Sequence, residues 1–224
     1  MSGKKNQWRV RTIFAILCNV LVFAFTCLCL IFFFTRGGSG NMQVWGKYCF
    51  MFFTVDSNIL AAAASILLAV FQLHALAGGG GEAPRWAMAL KFVGTVAVAV
   101  TFFTVVLFLG PVFGFRSMFV GSNFFMHLLS PLLAIFSCFL LEREPPLRFR
   151  CTFLGLLPTF VYGVVYIVMV VFRGLWMDFY GFNMGGFWYV SAALMLAATY
   201  LLSLGLWGLR RRAGKKRAAE AATA

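Results

Sequence analysis

The chain has 224 residues, of which 62% are hydrophobic, 18% aromatic and only 11% charged, with a formal net charge of +13. A soluble domain carries about a quarter charged residues, so this chain has too few to cover a water-facing surface. The positive charge lies at the ends of apolar runs, where it meets lipid head groups and sets topology, which argues against nucleic-acid binding.

The apolar runs are long enough to cross a hydrocarbon core as helices, which takes about 20 residues. The alternating short segments of a membrane barrel are absent, so helices remain as the way to satisfy the backbone in lipid. The first run covers residues 12–34, after Lys4, Lys5, Arg9 and Arg11; it is too long for a secretory leader and lacks a small-x-small cleavage site. A glycine-rich turn at residues 37–40 precedes a long second run, 45–76, whose first turns lie in the interface or tilt. A glycine-rich connection, 78–84, leads to a third helix over 86–109 that stops before Pro111. Helices follow over 122–141, 152–172 and 187–209, then a basic tail from Arg210 to Arg217 with an Ala-rich end expected to be disordered.

The expected architecture is an all-α integral membrane protein: a basic N-terminal segment (1–11), a six-transmembrane-helix bundle (12–209) and a basic tail (210–224). With the N-terminus inside, fifteen of the nineteen Lys and Arg fall on the cytoplasmic side, Arg85, Lys91, Arg143, Arg148 and Arg150 among them. Arg36, Lys47, Arg116 and Arg173 fall outside, so the positive-inside rule puts both termini in the cytoplasm. The six cysteines show no paired metal-ligand spacing and read as small apolar packing residues rather than a disulfide framework. The sequence carries no metal or organic-cofactor signature and does not specify an oligomeric state.

In so apolar a bundle, the polar groups placed at membrane depth are the informative ones. The second helix carries Thr54, Asp56, Ser57 and Asn58; the fourth carries Asn123, His127, Ser130 and Pro131. Thr54 and Asn58 share a helix face, as do Asn123 and His127. Counted along the helix axes, Thr54 lies roughly 10 Å past Lys47 and His127 roughly 7 to 8 Å past Ser122. Both therefore fall in the outer third of a core about 30 Å thick. Trp176, Asp178, Tyr180 and Asn183, between helices five and six, are placed to close a site there. The bland alternatives are a Thr54 hydroxyl bonded to its own helix and a structural His127. Asp56 stays open between an orienting group, an ion ligand and a partner for another helix, while His74 reads as an ordinary interfacial residue.

At these residues the chain resembles the androgen-induced-protein family of multi-pass membrane threonine hydrolases, to which the androgen-dependent TFPI-regulating protein belongs. The resemblance rests on Phe53-Thr54-Val55, on the Asn123…His127…Pro131 pattern and on Gly174-Leu175-Trp176-Met177-Asp178-Phe179-Tyr180. It implies a nucleophilic Thr54 and a basic His127 that together cleave lipid esters such as fatty acid esters of hydroxy fatty acids, in the plasma membrane. In that scheme Asn58, Asn123 or Ser130 donates to the oxyanion, Asp56 or Asp178 orients the imidazole, and Trp176 and Tyr180 line the substrate. The rival readings are a proton- or ion-coupled transporter using Asp56, His127 and Asp178, and a lipid acyltransferase using the same dyad.

Overall fold

A computed structural model describes residues 2–39, 42–79, 83–142 and 147–222. Gly40, Arg143 and the middle of the 78–84 connection lie outside the described residues. Six helices are long and apolar enough to cross a membrane: α1 (Gln7–Arg36), α2 (Phe53–Leu76), α3 (Arg85–Phe113), α4 (Phe124–Leu141), α5 (Cys151–Phe172) and α6 (Trp188–Arg212). This is a multi-pass helical membrane protein. The remaining regular structure includes a two-residue antiparallel ribbon, Gly38–Ser39 with Met42–Gln43, between α1 and α2.

The helix α3 is the hub, with 61% of its apolar window buried against 17% in α5 and 22% in α6. It packs on α2, α4 and α6, while α1 packs on α2 and α4. Lipid tails are as apolar as leucine, so membrane helices associate through close packing and polar contacts rather than water exclusion. Gly94 of α3 shows this: a Cβ there would stand 2.9 Å from the Ala61 Cα of α2, so the two backbones touch through small residues.

Three boundaries differ from the expected ones, each for a local reason. The long second run breaks at Phe52, which is extended (φ −104°, ψ 124°) between a 3-10 helix, Gly46–Met51, and α2. Thr54 consequently lies in the first turn of α2 rather than two turns along a continuous helix. The third helix does not stop before Pro111. It widens into a π-helical stretch, Val105–Leu109, where the Gly110 N–H bonds the Val105 carbonyl, and then continues through Gly110–Phe113. Proline has no N–H for the carbonyl four residues back, and a wide turn just before it absorbs that loss. The last helix runs on to Ala222, well beyond the expected end, because the Ala-, Lys- and Arg-rich tail is built from strong helix formers.

Candidate active site

The end of the bundle where α2, α4 and α6 begin gathers the polar residues of α2 and α4. Pro131 shapes α4 as Pro111 shapes α3: the stretch Phe124–Leu129 is π-helical, and the Ser130 N–H reaches back five residues to the Phe125 carbonyl. His127 sits inside this widened turn, 5% exposed, facing α2. Gly114 ends α3 with a φ of +88°, and the short helix Phe115–Met118 that follows brings the Met118 carbonyl over the imidazole.

The Thr54 Oγ1 lies 3.3 Å from His127 Nε2, and His127 Nδ1 lies 2.9 Å from the Met118 carbonyl. A carbonyl oxygen only accepts, so Nδ1 carries the ring proton and Nε2 is left as an acceptor for the Thr54 hydroxyl. This is the tautomer a general base requires.

The other site residues support or surround this pair. The Asn58 amide donates both to the Thr54 carbonyl (2.7 Å) and to the Met126 carbonyl of α4 (3.0 Å), tying the two helices together at the level of the pair. Ser57 Oγ is 2.8 Å from Thr101 Oγ1 of α3. Asn123 donates to the Ser117 carbonyl at 3.3 Å and so braces the loop that carries Met118. Ser130 is buried one turn beyond His127.

Several of the expected contacts differ in this geometry. A backbone carbonyl, not a carboxylate, orients His127. Asp178 instead accepts from the Tyr166 hydroxyl (2.7 Å) and from the Phe182 and Asn183 N–H groups (2.8 and 2.9 Å), and no hydrogen bond joins Asp56 to the ring. The Asn58 amide, expected to face an oxyanion, donates instead to two backbone carbonyls.

Asp178 therefore sets the loop between α5 and α6, and with it Tyr180. The Tyr180 N–H donates to the Tyr166 hydroxyl (3.2 Å), and the Tyr180 hydroxyl accepts from the Phe53 N–H (3.2 Å). Its hydroxyl also meets those of Thr54 and Tyr162. Burial raises Tyr180 from the ordinary phenol value near 10 to about 12, so it stays a protonated donor at any ordinary pH. Tyr180 lines a chamber of about 160 Å³ together with Thr54, Thr101, Tyr162 and Tyr166. Trp176 does not line it and packs instead against the Tyr166 and Phe179 rings.

A second polar cluster, at the opposite level of the bundle, escaped the sequence reading. The charge count places Lys91 among the topogenic cations near the membrane surface, yet it is only 1% exposed at the hub of the fold. Its ammonium donates to Asn19 Oδ1 of α1 (2.6 Å) and Ser65 Oγ of α2 (2.7 Å). The Asn19 amide passes the contact on to Gln72 (3.3 Å) and to Glu142 (3.1 Å) at the end of α4. The available signal was a lysine six residues inside an apolar helix, with an asparagine at mid-helix in α1. Removing one member of a buried charged network leaves the others uncompensated, which costs roughly 3 kcal/mol or more. Lys91→Met is accordingly expected to lower the unfolding temperature in detergent markedly, and an unchanged melting curve would contradict the role assigned to this cluster.

No family model, curated protein or solved structure matches the chain.

Proposed function

We propose that this protein is a membrane-embedded hydrolase of lipid esters, of the androgen-induced-protein type, with Thr54 as nucleophile and His127 as base. The observation that carries the reading is the hydrogen-bond pattern of His127, whose Nε2 is free to accept from Thr54 because Nδ1 is committed to the Met118 carbonyl. A threonine hydroxyl is a weak nucleophile unless a base within hydrogen-bond reach activates it.

In the reaction, His127 Nε2 takes the Thr54 proton as Oγ1 bonds to the ester carbonyl carbon. The carbonyl oxygen becomes an oxyanion and accepts from Tyr180, whose protonated hydroxyl meets that of Thr54 and lines the same chamber. Collapse breaks the bond to the alcohol oxygen, which leaves with the proton held on His127. Water, activated by the same imidazole, then releases the acid from Thr54 and restores the resting site. In this reading the site faces the non-cytoplasmic side of the plasma membrane with both termini inside, an orientation that the distribution of Lys and Arg supports. Moving Lys91 from the topogenic set to the interior leaves fourteen cations against four, which still supports that orientation.

The transport alternative needs a relay through Asp56, His127 and Asp178. Asp178 is occupied by Tyr166 and its own loop, and His127 by Thr54 and Met118. This favours the hydrolase. The test is release of free fatty acid from long-chain esters by the full chain in liposomes, beside a Tyr180→Phe variant. Loss of one preorganised oxyanion donor costs on the order of 100-fold in turnover, and that is the expected deficit of the variant. Proton flux without acid release would overturn the reading, and ester products in place of free acid would move it to acyl transfer.

A further inference from the structure

Beside the chamber that holds Thr54 lies a larger apolar groove of about 660 Å³. Phe103, Leu107 and Phe108 of α3 form one wall, and Leu194, Ala198 and Leu202 of α6 the other. Chamber and groove share Val100, Thr104, Phe182, Ser191 and Met195, so they are adjoining compartments with a common boundary. Thr54 lines the chamber and not the groove.

The groove opens sideways. Leu107 is 73% exposed and Leu194 63% exposed, on the outer faces of two membrane-crossing helices. An exposed apolar face of such a helix meets hydrocarbon, so the mouth of the groove faces lipid chains rather than water. The shared boundary carries two hydroxyl residues, Thr104 and Ser191, between otherwise apolar walls.

We propose that the α3–α6 groove seats the hydrocarbon arm on the alcohol side of the ester and returns the released alcohol to the bilayer. This inference rests on the hydrolase reading above. After attack the acyl carbon is bonded to Thr54 Oγ1, so the acyl arm stays in the chamber that Thr54 lines. The bond that breaks is between that carbon and the alcohol oxygen, which takes its proton from His127. The departing alcohol needs a path that does not pass back across the dyad, and the groove supplies one that begins at Thr104 and Ser191 and ends in lipid.

The experiment uses the full chain in liposomes and two esters with the same acyl group, one of methanol and one of hexadecanol. Ala198→Trp fills the groove at an exposed position that does not line the Thr54 chamber, and Leu107→Trp does so from the facing wall. Each is expected to lower kcat/KM for the hexadecyl ester at least ~10-fold while leaving the methyl ester unchanged, which also reports that the variant is folded. Gly163→Trp, which fills the Thr54 chamber, is expected to depress both esters. If both groove variants changed the two esters equally, or changed neither, the assignment of the alcohol arm would be overturned. If the wild type cleaved neither ester, the hydrolase reading itself would fall and this inference with it.

Discussion

Replacing Thr54 with alanine is expected to reduce lipid-ester hydrolysis at least ~10³-fold, because the hydroxyl that carries the acyl intermediate is then gone. The structure gives reason to expect that this variant folds. The Thr54 side chain meets His127 and Tyr180 through Oγ1, whereas Ser57 and Asn58 bond its backbone carbonyl and tie α2 to its neighbours through Thr101 and the Met126 carbonyl. Those bonds survive the substitution. Thr54→Ser keeps the hydroxyl and is expected to retain most of the activity. The comparison is read as initial rates of acid release at matched amounts of protein in liposomes. An alanine variant as active as the wild type would remove Thr54 from the chemistry.

The second large effect belongs to His127. Without the imidazole, the Thr54 hydroxyl loses the base it faces, and His127→Gln is expected to fall to within a few-fold of the Thr54→Ala rate. Residues that act as one unit are strongly non-additive, so the double variant should be no slower than the slower of the two singles. Independent, multiplying losses in the double variant would show that the two side chains do not work together. Asn123→Ala provides a graded case: it removes the brace on the Ser117–Met118 loop while leaving the dyad in place. Its effect should be smaller than that of either dyad residue.

The membrane class and the six spans were legible because hydrocarbon admits few solutions: about 20 apolar residues per crossing, with charge at the ends. The proximity of Thr54 and His127 was legible as a shared level on two helices, since both lie near the start of a span that begins at the same end. What the sequence concealed has a common origin in backbone and through-space effects. The group that orients His127 is the Met118 carbonyl, and a carbonyl has no residue identity to read. The π-helical turn around His127 follows from Pro131, but its consequence is a shift in register rather than a new side chain. Tyr180 reaches the dyad only because Asp178 and Tyr166 fold the connecting loop inward, a contact that joins α2 to residues 127 positions later. Lys91 was misread because a cation six residues inside a helix resembles a topogenic charge until its partners on α1 and α2 are known.

The most direct test of the central claim is covalent labelling of the purified full-length protein with a fluorophosphonate, with the modified peptide identified by mass spectrometry. The probe bonds to an activated hydroxyl oxygen and expels fluoride, so it reports the nucleophile without any choice of substrate. The expected result is a single adduct on Thr54 that disappears in Thr54→Ala and is strongly reduced in His127→Gln. An adduct on another residue, persisting at full level in both variants, would contradict the account.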